Sequence, residues 1–174
     1  MKRLIFYILI ILGTLAINTT KASAQAVSDS SASFKIGTED QGFDYRAENL
    51  RKFLEEYNSP LADYADEFVS YADLNSLDYR LLPSITGVES TFGKHIPTGS
   101  YNAYGWANGD YSFDSWEDSI AHVSETLKNS YIEKGAPSIA KIAKRYAPPS
   151  TTWANGVKFF ISKIDSLPLN FDII

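Results

Sequence analysis

The stretch Leu82–Gly93, LPSITGVESTFG, constrains this chain most. At helical spacing Leu82, Ile85, Val88 and Phe92 fall near one face, and Gly93 would supply a left-handed C-terminal cap. Glu89 follows Ile85 by four residues and Leu82 by seven, so it sits on or beside that apolar stripe. An unpaired charge costs too much to bury, so a carboxyl there is either paired or driven toward its protonated form by desolvation. A carboxyl that keeps its proton near neutral pH is what glycosidic cleavage needs as a general acid. The plainer alternative is a Glu at the edge of the stripe that reaches into water.

The N-terminus has a different character. Lys2 and Arg3 precede Leu4–Ile17, an uncharged and mostly apolar run, and Ala22-Ser23-Ala24 gives a small-x-small cleavage pattern. This is the layout of a secretory signal peptide over residues 1–24. The run is short beside the roughly 20 residues a spanning helix needs, and an uncleaved anchor is the alternative. Residues 25–44, rich in Ser, Asp and Gly, read as a flexible linker, which leaves 45–174 as the folded domain. The expected location is secreted or in the cell envelope, with no stable membrane insertion after cleavage. Loss of Lys2, Arg3 and Lys21, with no acid, takes the formal charge from −5 to −8. Such an acidic chain, without a long basic run, points away from nucleic acid and anionic membranes.

The chain has no Cys, so it uses neither disulfides nor thiolate metal ligands. His95 and His122 lie far apart, without metal-ligand spacing, and read as surface or capping residues. No metal or cofactor is expected, and the domain is expected to be a monomer. Hydrophobic content of 44% suffices for one core. The 11 Tyr offer flat apolar faces with polar tips, which suit sugars and cores alike.

Helical faces follow the linker. Leu50, Phe53, Leu54 and Tyr57 define the first, and Ser59-Pro60 opens a second carrying Leu61, Tyr64, Ala65, Phe68 and Ala72. Asp78 can cap the third, which bears Glu89. Pro83 is tolerated only near a first turn, so the regular helix starts at about Tyr79 to Leu82 or is bent there. Tyr101–Phe113, YNAYGWANGDYSF, changes period. Its Asn108-Gly109, flanked by Tyr104, Trp106, Tyr111 and Phe113, predicts a two-residue β-hairpin. Ser115-Trp116-Glu117-Asp118 then starts like a capping box with Asp for Glu. Trp116, Ile120, Val123, Leu127 and Tyr131 predict one long helix, broken by Gly135-Ala136-Pro137. Ile139, Ile142, Ala143 and Tyr146 make a short helix stopped by Pro148-Pro149, and Trp153, Val157, Phe160, Ile161 and Ile164 make the last. The expected fold is mainly α, with about six helices and one small β-hairpin forming a cleft wall.

These segments together resemble a known family. Gly87–Gly93, GVESTFG, resembles the glutamate motif of the lysozyme-like superfamily. Asn102-Ala103-Tyr104-Gly105-Trp106 is similar to the Asn-x-Phe-Gly-Ile type segment of bacterial glucosaminidase domains, also called the mannosyl-glycoprotein endo-β-N-acetylglucosaminidase-like family. Phe113–Ile120 resembles that family's Tyr/Phe-x-Ser-x-x-Glu-Ser-Ile helix start, and Tyr146-Ala147 with Trp153-Ala154 resembles its Tyr-Ala…Tyr-Ala close. The likeness runs over roughly Leu77–Ile164. It departs at Trp106, which replaces an aliphatic residue, and in the short segment after Glu89 that carries Pro97-Thr98-Gly99.

The resemblance implies an α+β lysozyme-like fold and a peptidoglycan-cleaving glycosidase of the endo-β-N-acetylglucosaminidase type. Its substrate would be peptidoglycan or a related glycan, cut at β-1,4 bonds. Glu89 would be the catalytic acid and Tyr146 the residue across the groove that holds substrate or developing charge. Ser90, Asn102, Tyr104, Trp106 and Trp153 would serve the sugar cleft. For a second carboxylate Asp110 is the first candidate and Asp114 the second, against plainer roles in a turn and at a helix start. Alternatives are a lytic transglycosylase, a catalytically inactive glycan-binding module, or a helical interaction protein with no sugar site. The export reading is tested by mass spectrometry of the exported protein. Its N-terminus should be Gln25, whereas a mature chain beginning at Met1 would favour an anchor.

Overall fold

The computed structural model describes residues 44–165. The signal-peptide reading and the linker up to residue 43 lie outside the described residues. Within them are six α-helices: α1 (Tyr45–Glu56), α2 (Ala65–Leu74), α3 (Leu81–Ser90), α4 (Trp116–Thr126), α5 (Ile139–Tyr146) and α6 (Trp153–Ile164). Short 3-10 turns cover Ala62–Tyr64 and Trp106–Gly109, and a π-helical turn, Leu127–Ile132, prolongs α4. The mainly α expectation holds. No strand forms among the described residues, so the expected β-hairpin does not form.

Helix α3 is the centre of the core. Leu81, Leu82, Pro83, Ser84, Ile85, Thr86 and Gly87 are all buried. Pro83 falls at the third helical position, where no backbone N–H is needed for the ladder, so it neither bends nor breaks the helix. Asp78 secures the start by accepting from Arg80 N at 2.9 Å while pairing with the buried Arg80 guanidinium at 2.6 Å. The helix packs most extensively against α6. Glycines allow that approach. A Cβ at Gly87 would lie 2.6 Å from Phe92 Cε1 and 2.9 Å from Phe160 Cδ2, and one at Gly156 would lie 3.0 Å from Val88 Cγ2.

The end of α3 differs from expectation. The left-handed cap is Thr91, not Gly93, and the chain stays left-handed through Thr91 (φ 53°), Phe92 (φ 59°) and Gly93 (φ 79°). Such φ values cost non-glycine residues about 1–2 kcal/mol each. The turn recovers this by driving the Phe92 ring fully into the core, against Tyr57 (4.5 Å between centroids), Phe160 (4.9 Å) and Phe53 (5.4 Å). Its backbone is also satisfied: Phe92 N donates to Thr86 O at 3.0 Å, and Ser59 Oγ donates to Phe92 O at 2.8 Å.

The segment expected to form a hairpin winds into a 3-10 turn. Asn108-Gly109 does supply positive φ, 54° and 94°, but Ala107 (φ 50°) and Gly105 (φ 70°) are left-handed as well. Four such residues coil the chain instead of reversing it between two strands. The cross-strand ladder is replaced by one side chain. Asn102 Nδ2 donates to Trp106 O (2.9 Å) and Tyr111 O (3.0 Å), and Asn102 Oδ1 accepts from Trp106 N (3.1 Å). A single amide thus satisfies the backbone groups a strand partner would have taken.

The helix expected to open at Ser59-Pro60 begins only as the 3-10 turn Ala62–Tyr64 and becomes α2 at Ala65, whereas α4 starts where its sequence signal lies. Ser115 Oγ accepts from Asp118 N at 3.0 Å, and Asp118 Oδ2 accepts from Asp114 N at 3.1 Å, one residue earlier than in an ideal capping box. Gly135 (φ 92°) ends the prolonged α4. Gly87→Ala tests the α3–α6 contact. Alanine is the better helix former by about 1 kcal/mol, yet overpacking typically costs about 1–3 kcal/mol. The variant should therefore unfold at lower urea concentration than wild type. Equal or greater stability would show that the Phe92 and Phe160 rings yield freely.

Candidate active site

Glu89 stands one residue before the end of α3, and two cavities meet at it. The larger, about 700 Å³, is lined among others by Glu89, Trp106, Tyr111, Tyr131 and Tyr146. The smaller, about 470 Å³, is lined among others by Glu89, His95, Pro97, Asn102 and Asn108. Glu89, Gly105 and Asn108 line both, so the carboxyl lies at their junction. The larger is lined by five Tyr and Trp residues, and the smaller by none.

Two contacts fix the carboxyl. Its Oε1 accepts from Trp153 Nε1 at 2.6 Å. On the other side a Cβ at Gly105 would come within 2.9 Å of Oε2, so the backbone passes as close to the carboxyl as only a glycine allows. The φ of 70° at Gly105 adds a second reason for that residue. Burial raises the pKa of Glu89, and the indole hydrogen bond only partly opposes the rise.

Tyr146 closes the larger cavity from the end of α5. Its hydroxyl donates to the Tyr104 carbonyl at 2.8 Å, and its ring stacks on Trp153 at 5.1 Å. Burial first, and then the charge of Glu89, hold its pKa well above the ordinary phenol value. It is therefore a neutral donor at any pH the chain meets.

The other expected site residues divide sharply. Trp106 is partly buried and lines the larger cavity beside exposed Tyr111, their rings 5.9 Å apart. Tyr104 lines the larger cavity, but its ring is fully buried, and its carbonyl accepts from the Tyr146 hydroxyl. Trp153 is corrected, being 4% exposed, so it bonds Glu89 in place of stacking on a sugar. Ser90 and Asn102 are buried too. Ser90 Oγ donates to Ala103 O at 2.8 Å and accepts from Gly93 N at 2.9 Å, tying α3 to the loop that Asn102 shapes.

Asp110 and Asp114 are exposed and line neither cavity, so neither serves there as a second carboxylate. Asp110 ends the 3-10 turn, and Asp114 donates its N–H into the start of α4. Glu89 is the one acidic residue lining these two cavities. Sequence reasoning missed three contributors. His95, expected at the surface, lines the smaller cavity. Tyr131, expected only as part of a helical face, lines the larger. Gly105 belongs to a recognisable motif, but its closeness to Glu89 has no sequence signal beyond the glycine itself.

No protein-family model matches the chain, and no curated protein matches it.

The raised pKa of Glu89 makes a stability prediction. The folded chain holds this proton to higher pH than the unfolded chain, whose carboxyl titrates near 4.5. The group therefore costs nothing below that value and destabilises the fold as pH rises through the raised pKa. Glu89→Gln, which keeps an acceptor for Trp153, should match wild type in thermal midpoint at about pH 4 and exceed it at about pH 8. A gain that does not change with pH would mean that burial leaves Glu89 unperturbed.

Proposed function

We propose that this chain is a glycosidase that cleaves β-1,4 bonds in peptidoglycan or a closely related glycan, with Glu89 as general acid. One observation carries this reading. A single desolvated carboxyl, fixed by a buried indole, lies where two ligand-sized cavities meet. A glycan laid across Gly105 would set one sugar in each cavity and its linking oxygen beside Glu89. Trp106, Tyr111, Tyr131 and Tyr146 line the cavity that would take one of those sugars. Export to the cell envelope, read from residues 1–24, belongs to the same proposal, as does membership of the glucosaminidase family.

The chemistry follows from the charge. Glu89 gives its proton to the leaving oxygen as the C1–O bond breaks. The oxocarbenium-like carbon then needs electrons. A retaining enzyme places a second carboxylate about 5–5.5 Å from the acid, and an inverting one about 6.5–9.5 Å away. Neither Asp110 nor Asp114 lines the cavities to fill that place. This favours stabilisation by the substrate's own acetamido oxygen, with water opening the ring intermediate and returning a proton to Glu89. The same observation favours a second reading, a lytic transglycosylase, in which the sugar's own hydroxyl attacks and an anhydro sugar forms.

Digestion of purified peptidoglycan, with mass spectrometry of the fragments, tests both readings. Wild type should release fragments cut at one type of glycosidic bond, either reducing or anhydro. Glu89→Gln should lose at least about 10²-fold in rate, the usual lower worth of general acid catalysis, while staying folded and still binding wall fragments. Undiminished turnover in that variant would remove Glu89 from the reaction, and no cleavage by wild type would leave a glycan-binding module.

A further inference from the structure

Glu89 is enclosed by a closed circuit of contacts. Its Oε1 accepts from Trp153 Nε1. The Trp153 ring stacks on Tyr146 at 5.1 Å and 30°. The Tyr146 hydroxyl donates to the Tyr104 carbonyl at 2.8 Å. The residue after Tyr104 is Gly105, whose backbone lies against Glu89 Oε2. Three separate segments, the end of α3, the loop after Asn102 and the α5–α6 corner, thus meet around one carboxyl. The two oxygens face different surroundings: Oε1 meets the buried indole, and Oε2 meets the strip of backbone that lines both cavities.

We infer that Trp153 is a positioning residue that divides the work between the two oxygens of Glu89, holding Oε1 as a permanent acceptor and leaving Oε2 to carry the acid proton. The inference rests on the proposed role of Glu89 as general acid. An indole N–H can only donate. In a protonated carboxyl the carbonyl oxygen is the better acceptor, so an N–H at 2.6 Å from Oε1 selects the form with hydrogen on Oε2. In the carboxylate the same bond becomes charge-assisted and stronger. It therefore survives both protonation states and keeps the side chain from rotating as the proton leaves. Trp153 suits this task because it is itself immobile: it is buried, stacked on Tyr146, and its backbone N–H donates to Ser150 Oγ at 3.1 Å. Phenylalanine could fill the same space but would leave Oε1 without a donor.

The other titratable groups that line the cavities with Glu89 are Tyr104, Tyr111, Tyr131 and Tyr146 on one side and His95 on the other. Burial raises the pKa of Tyr104, Tyr131 and Tyr146, so those three stay neutral. His95 is the one ionisable side chain other than tyrosine that lines these cavities beside Glu89, and its replacement serves as the control.

The chain has three Trp, so a ¹⁵N-labelled sample gives three indole N–H signals. Trp153→Phe identifies the one that matters, and Trp106→Phe with Trp116→Phe identifies it by elimination if that variant does not fold. In wild type the Trp153 signal should shift through one titration step with a midpoint above the ordinary carboxylate range. In Glu89→Gln the signal should persist and the step should vanish, whereas His95→Gln should leave the step in place. In activity, Trp153→Phe should lower kcat by up to about 10²-fold with little change in KM. Because the indole bond favours the carboxylate, its loss should also move the alkaline limb of the pH profile to higher pH. A Trp153 signal that does not titrate, or that titrates equally in Glu89→Gln, overturns the inference. So does a Trp153→Phe variant whose pH limb stays in place while kcat falls, since a purely structural role predicts that result. If the signal titrates as expected but Glu89→Gln keeps full turnover, the glycosidase reading fails and the division of oxygens stands as geometry alone.

Discussion

The structure depends on the close approach of α3 and α6. Two glycines, Gly87 and Gly156, remove the side chains that would hold the helices apart. That approach does more than fill the core. It brings the first residue of α6, Trp153, within 2.6 Å of the next-to-last residue of α3, Glu89. A carboxyl at the rim of an apolar helix would otherwise face a desolvation cost with no donor to offset it. Here the packing that creates the cost also supplies the partial remedy. Elevated pKa at Glu89 and rigidity at Trp153 are two results of one helix–helix contact.

Much of the helical frame was legible in the sequence, because it rests on local rules. The faces of α1, α2, α4, α5 and α6 follow helical spacing, Ser115 caps α4, Asp78 braces Arg80 just ahead of α3 although it is not the N-cap, and Pro83 sits where a proline is harmless. The errors came where tertiary packing overrode a local signal. Asn108-Gly109 reports that positive φ is present, but not whether strands flank it. The reach of Asn102 across the loop decides that, through three bonds that span four to nine residues and carry no periodic signal. Gly93 looked like the cap of α3 because glycine is the least costly left-handed residue. The chain turns earlier because burying Phe92 is worth more than avoiding strain at Thr91 and Phe92 itself.

The candidate site was legible at its centre and illegible at its edges. Glu89 could be singled out because a charge at an apolar stripe is anomalous in any helix. Tyr146 was reached by resemblance and does face the cavity that Glu89 lines. Tyr104 and Trp153 looked like sugar contacts because aromatic residues serve cores and ligands equally well, and one-dimensional spacing does not distinguish the two. Asp110 and Asp114 were candidates because they lie in or just after the expected hairpin, and neither lines the cavities. Glu89 is the one acidic group that these two cavities share.

The loop after α3 has a mechanical consequence of its own. A β-ribbon resists bending because its cross-links are spread along its length. This wall is held instead by side chains reaching into it, the Asn102 amide, Ser90 Oγ at Ala103 O and the Tyr146 hydroxyl at Tyr104 O, with each bond worth about 0.5–1.5 kcal/mol net. The aperture above Glu89 is thus set largely from beneath the loop, where Asn102 and Ser90 are buried. Cleft width and acid strength are therefore coupled, because the loop these bonds hold carries Gly105, whose backbone lies against Glu89 Oε2.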